Sequence, residues 1–446
     1  INEMLNFIKK EFSLNFLFFS IFLLTYTFYK SEIVWSGNKI DYYRFYYILS
    51  ILLIATAIIS FFINEKIKSL LIKIIFFLFF LVYLIEFCII SYDGFVRTLT
   101  HYLKEGKSYD TRSILDIYNN LKQNDSQVKL IIRPQSHLKN TEKKLLPLSG
   151  ISNSKTIHCI ENGYYSIYQS DRYGFNNPDS EWDEKEIEYL LVGDSYTHSA
   201  CVNRPNDITS VLRTLSNKSA LNLGYGGNGP LLQYAGLREY LSKNVKNVLW
   251  FYYEGNDLIN LNNELESTIL NKYLDNSNFS QDLKNKQKKI DDLCNIAIEK
   301  EFTTLENRNI YKKLDILKLS AVRTLLYNYV PDKYRPKQQS RPKAGEKFYE
   351  ILRLAKNLTL KNNSKFYFVY LPEYSRYKSD YDNTDYHEVK KIVKQLQIPF
   401  IDIHAEVFEK EKNPLNLFPF KLKGHFNVNG YKKVAEKVYK ITSDNK

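Results

Sequence analysis

Tyr189-Leu190-Leu191-Val192-Gly193-Asp194-Ser195-Tyr196 joins an apolar, strand-like run to an abrupt Gly-Asp-Ser turn. A short buried strand that ends in small residues is how an α/β fold presents a side chain at the carboxyl ends of a parallel sheet. Serine is a weak nucleophile unless a base stands beside it. The reading therefore turns on whether the rest of the chain brings a base and oxyanion donors to the same sheet edge. Working outward, strand-like runs recur at 220–223, 245–253, 366–371 and 399–403. Helical spacing falls between them, at about 208–215, 231–242, 346–358 and 386–396, and again up to about 440. Strands alternating with helices predict an α/β class with a parallel sheet.

Three further blocks follow Ser195 in order: Asn222-Leu223-Gly224-Tyr225-Gly226-Gly227-Asn228, Glu254-Gly255-Asn256-Asp257 and Gly424-His425-Phe426-Asn427. With Gly193-Asp194-Ser195, these four blocks resemble those of the SGNH (GDSL-type) hydrolases, over about 171–440. The resemblance implies a three-layer α/β/α domain with a flavodoxin-like parallel sheet, and the chemistry of a carboxylic ester hydrolase or acyltransferase. It implies Ser195 as nucleophile and His425 as general base. The backbone N–H groups of Ser195 and Gly227 and the carboxamide of Asn256 become the oxyanion donors. Neither a metal nor another cofactor is implied. Read alone, the glycine-rich run is a strand exit and Asn-Asp a turn; their places after successive strands favour the functional reading.

The chain departs from the family pattern twice. Glu254 stands where the third block begins with Gly, so its side chain is expected near the site, narrowing the pocket or meeting substrate hydroxyls. Leu422 and Lys423 stand where the last block carries an Asp before the His. The base is then oriented by a backbone carbonyl, giving a Ser-His dyad, or by Asp402 at the end of the fifth strand, giving a triad. His198, just after Ser195, is the rival base and is expected one turn into the next helix, at the rim. By analogy with membrane-tethered members the substrate is an O-acylated cell-surface glycan. Two alternatives remain open: a polysaccharide O-acetyltransferase working through the same acyl-enzyme, and a non-catalytic glycan-binding or assembly protein.

The chain's 446 residues exceed one typical domain. Its 62 Lys and Arg against 49 Asp and Glu give +13, which suits an anionic membrane surface or an acidic polymer. The basic residues are scattered rather than clustered, no motif has the spacing of a nucleic-acid reader, and no nucleic-acid partner is expected. Cys88, Cys159, Cys201 and Cys294 include no Cys-x-x-Cys pair, which argues against zinc. One disulfide among the last three fits an exported domain, with the pair left open.

Leu14–Tyr29, Tyr46–Ile63 and Leu70–Ile90 are apolar runs close to the ~20 residues that span a bilayer, and they predict a lipid-bound anchor over 1–95. Lys9, Lys10, Lys66 and Lys68 place those ends in the cytoplasm, and three spans then put the large domain outside. Glu86 falls near one end of the third run. Residues 96–180 read as a connecting region with a small β element, and 181–446 as the hydrolase-like domain. A long insertion at about 258–342 reads as a helical lid or substrate wall.

Overall fold

The computed structural model describes residues 2–37, 40–106, 109–138, 145–315, 317–329, 345–378 and 381–444. The chain gathers into two units: residues 96–308 with 341–446, and residues 1–95 with 309–340.

In the first unit the expected strands form one parallel sheet. We label the strands in chain order: β1 (Val128–Leu130), β2 (Lys155–Ile157), β3 (Ile167–Gln169), β4 (Ile187–Val192), β5 (Ala220–Asn222), β6 (Val245–Tyr253), β7 (Lys365–Leu371) and β8 (Phe400–Asp402). The large sheet runs β5-β4-β6-β7-β8, all parallel. Counted within the sheet this is order 2-1-3-4-5, the flavodoxin-like arrangement.

Alternation along the strands builds the three layers. Leu190, Val192, Val248, Trp250 and Tyr252 face one side, where they pack with Leu231 and Leu237 of the helix Pro230–Tyr240 and Phe348 and Ile351 of the helix Glu346–Lys361. Tyr189, Leu191, Leu249, Phe251 and Tyr253 face the other, against Ile208 and Leu212 of the helix Ile208–Ser216 and Val434 and Val438 of the helix Val428–Asp444. β4 is buried along its whole length, which explains its apolar run from Tyr189 to Val192.

The connecting region supplies a second sheet, β1-β2-β3, parallel then antiparallel. Its Val128, Leu130 and Ile157 belong to the same core as Leu190 and Trp250. The stretch expected as a lid is also core in its first half: Leu270, Tyr273, Leu283, Ile290 and Cys294 are fully or nearly fully buried there.

Three helices that lie wholly or mostly in the second unit are long and apolar enough to cross a membrane: Phe12–Val34, Tyr42–Ser60 and Glu65–Lys104. Their surfaces expose Phe18, Phe45, Leu52, Phe76 and Phe80. The helix Ser320–Tyr329 belongs to this unit. Glu86 is buried and accepts the backbone N–H groups of Ala321 (2.9 Å) and Val322 (2.7 Å), so a carboxylate inside an apolar helix caps another helix's N-terminus. Residues 316 and 330–342 of the predicted insertion lie outside the described residues.

Candidate active site

The turn after β4 is shaped by close approach. A Cβ on Gly193 would stand 1.9 Å from Thr197 Oγ1 and 2.9 Å from the Phe251 carbonyl oxygen, so only glycine fits. Asp194 Oδ1 accepts the Tyr196 N–H (2.8 Å), and burial pushes the Asp194 carboxyl up to about 6. Ser195 follows at the carboxyl end of a strand near the middle of the sheet.

His425 reaches this serine from 230 residues away. Its Nε2 lies 2.8 Å from Ser195 Oγ. It arrives on the loop before the helix Val428–Asp444, and Tyr196 braces that loop. The Tyr196 hydroxyl donates to the Gly424 carbonyl (3.0 Å), and its ring lies against His425 with centroids 4.7 Å apart.

The imidazole's other nitrogen meets a residue that the sequence reading did not single out. Both carboxylate oxygens of Glu161 lie 3.0 Å from His425 Nδ1, and Oε2 also accepts the His425 backbone N–H at 2.6 Å. A carboxylate only accepts, so Nδ1 carries the proton and Nε2 is left free to accept from the serine hydroxyl. Burial opposes the charge on Glu161, but the hydrogen bonds and the field of His425 outweigh it and hold the carboxyl below its ordinary value. A Cβ on Gly424 would fall 2.7 Å from Glu161 Oε2, so the glycine before the histidine makes room for the acid.

Glu161 sits on the β2–β3 loop of the small sheet, outside the hydrolase-like domain predicted at 181–446. Two links tie that loop to the segment after Ser195: the disulfide Cys159–Cys201, and Asn162 Nδ2 donating to the Cys201 carbonyl (3.1 Å). Among the described residues, buried Cys294 and exposed Cys88 form no disulfide. The Cys201 sulfur, Glu161 and His425 lie within 4.8 Å of one another. That sulfur is bonded to Cys159 and offers no thiolate, and the other two groups bond each other, so the set does not fit a metal.

Asp402 is not the orienting acid. Its Oδ2 accepts from the Tyr386 hydroxyl (2.6 Å) and Lys390 Nζ (3.3 Å), and its Oδ1 from the Ala405 N–H (3.1 Å). The sheet order gives the reason: β8 is the edge strand, three places from β4, or about 14 Å at ~4.8 Å per strand. Glu254 is likewise spent elsewhere. Its buried carboxylate pairs with Arg376 (Nε to Oε1, 2.8 Å), takes the Tyr370 hydroxyl and accepts the Glu373 N–H at 2.7 Å. It closes the β6–β7 end of the sheet rather than offering itself to a ligand.

His198 is no rim residue either. It is buried in a turn, its ring packed on His158 (4.7 Å between centroids), Tyr168 (5.0 Å) and Tyr225 (5.4 Å). Burial pulls its imidazole down to about 3, so it is neutral at ordinary pH.

The two remaining candidates end the strands that flank β4. Gly227 has φ +80 in the loop after β5, a loop held beside the serine turn by the Tyr225 N–H donating to Gly193 O (3.3 Å). Asn256 ends the β6 segment and precedes the helix Asp257–Glu264; among the described residues no protein group meets its Oδ1.

No protein-family model matches the chain, and no curated protein does. Solved structures resemble it, among them these three. One is a protein of Desulfitobacterium hafniense DCB-2 described as a lipolytic protein of the G-D-S-L family, at 13% identity and TM-score 0.31, spanning 57% of this chain and 99% of that one. An acetyl xylan esterase has 14% identity and TM-score 0.31 over the same shares. A protein of Lactobacillus plantarum has 10% identity and TM-score 0.29, over 58% and 98%.

Nothing near Glu161 in sequence marks it as catalytic. The run Cys159-Ile160-Glu161-Asn162-Gly163 carries only a turn signal and one of four cysteines. Had the Cys159–Cys201 pairing been readable, it would have drawn this acid to the serine.

Proposed function

We propose that this chain is a serine ester hydrolase of SGNH type that removes O-acyl groups from a cell-surface glycan. The observation that carries the reading is the 2.8 Å contact of His425 Nε2 with Ser195 Oγ, backed by Glu161 on Nδ1. His425 takes the Ser195 proton as Oγ attacks the ester carbonyl. Glu161 holds the tautomer and stabilises the imidazolium that forms. The N–H groups of Ser195 and Gly227 and the Asn256 amide receive the oxyanion; loss of one such donor raises the barrier by about 2.7–4 kcal/mol. His425 then gives its proton to the leaving alkoxide, and water, activated by the same imidazole, clears the acyl group.

The apolar helices support a multi-pass membrane anchor. The Cys159–Cys201 bond supports an extracytoplasmic hydrolase unit, because disulfides persist in oxidising compartments.

The test is acetate release from p-nitrophenyl acetate and from acetylated xylan by the detergent-solubilised full chain. Wild type is expected to turn over at least the small ester, Ser195→Ala and His425→Ala to lose at least 10³-fold in kcat, and Asp402→Asn to stay within about twofold. Turnover that survives Ser195→Ala refutes the reading.

A further inference from the structure

Arg133 and Gln135 lie beside the loop that carries Gly227, although they come from the connecting region. The Arg133 side chain runs along Gly226: its Nε, Cδ and Cγ are 3.6–3.8 Å from where a Cβ would stand. Its residue is exposed. Among the described residues it has neither a carboxylate partner nor any other hydrogen-bond partner for its side chain.

Gln135 bridges the two flanking elements. Its Oε1 lies 2.8 Å from the Cβ position of Gly227, and its Nε2 donates to Asn260 Oδ1 (3.3 Å) on the helix that starts at Asp257. Around that bridge, buried polar atoms meet no protein group: Asn228 Oδ1, Asn260 Nδ2 and Asn256 Oδ1. Asn228 and Asn260 are more than nine-tenths buried. Buried polar atoms that the protein leaves unmet are filled by water or by a ligand's polar groups. A guanidinium is a planar fork of donors that matches a carboxylate or phosphate two-pronged.

We propose that Arg133, lying along Gly226 beside the Gly227 loop, reads an anionic group next to the ester, so that the substrate is an acylated polymer bearing carboxylates or phosphates. The inference rests on the hydrolase reading and deepens it. The anion would be held at the exposed end of the Arg133 side chain, while the unmet asparagine atoms are buried and inaccessible from the surface. The net charge of +13 adds long-range attraction of the same sign.

The experiment measures kcat and KM of the full chain on three polymers: acetylated xylan (neutral), acetylated polygalacturonate (carboxylate) and acetylated poly(glycerol phosphate), with p-nitrophenyl acetate as a small neutral ester. The expected result is a kcat/KM at least 10-fold higher for one or both anionic polymers than for xylan, weakened by 0.5 M salt. Arg133→Gln should shrink that ratio about 10- to 100-fold, chiefly through KM, and Arg133→Lys should keep part of it. The polymer on which the preference appears tells carboxylate from phosphate. A wild-type ratio near one, or a ratio that Arg133→Gln leaves unchanged, overturns the subsite while p-nitrophenyl acetate turnover leaves the hydrolase standing. No turnover of any ester removes both.

Discussion

Glu161 meets His425 Nδ1 from the β2–β3 loop rather than from beside the histidine in sequence, and under the proposed function it orients the base. The consequence is measurable. Glu161→Gln keeps the shape but leaves Nδ1 facing an amide that can hold the wrong tautomer. By the serine-protease precedent such a change costs up to about 10⁴-fold in kcat with little effect on KM. Asp402→Asn, by contrast, disturbs only the edge-strand contacts with Tyr386, Lys390 and the Ala405 N–H. Equal losses in the two variants would return the role to Asp402.

His198 gives a second prediction at this scale, on stability. Above its ordinary value of 6.5 the imidazole is neutral in both folded and unfolded chains, and no pH-dependent stability hangs on it. Below that, the unfolded chain binds a proton that the folded chain refuses until about pH 3, so folding weakens as pH falls through this window. The slope is about 1.4 kcal/mol per pH unit at most. His198→Gln is expected to flatten the fall of the melting temperature between pH 6 and 4; an unchanged slope contradicts the assignment.

At the scale of elements, the sheet was the legible part. β4, β6 and β7 are runs of buried residues whose apolar character is local, so periodicity and length suffice to find them. Ser195, Gly227, Asn256 and His425 stand at element ends, where short motifs are visible. What was not legible depends on pairing between distant segments. The destination of Glu254 required knowing that Arg376 and Tyr370 meet it, and the acid on Nδ1 required knowing that β2 and β3 pack beside the serine turn. The Cys159–Cys201 bond joins the loop of Glu161 to the segment after Ser195, which leads to a prediction. Dithiothreitol, or paired Cys159→Ser and Cys201→Ser changes, should lower kcat at least several-fold and leave the protein folded by circular dichroism. Full activity after verified reduction would show that Asn162 and the hydrogen bonds of Glu161 to His425 hold the acid unaided.

At the scale of the whole molecule, the apolar runs were plain from hydropathy, since each approaches bilayer length without needing a partner. The association of the helix Ser320–Tyr329 with the N-terminal helices was not, because its cap is Glu86, more than 230 residues earlier. The positive-inside reading of Lys66 and Lys68 predicts sidedness. In otherwise cysteine-free protein, Lys68→Cys should react with an impermeant maleimide only after permeabilisation, and Lys423→Cys in intact cells. The opposite pattern would put the α/β unit in the cytoplasm.

The triad itself is tested most directly by reaction with a fluorophosphonate, following the rate of adduct formation and locating the adduct by peptide mass spectrometry. The account predicts a single adduct on Ser195 that forms at least 100-fold more slowly in Glu161→Gln and is absent in His425→Ala. An adduct on another residue, or one that forms as fast in Glu161→Gln as in wild type, would contradict it.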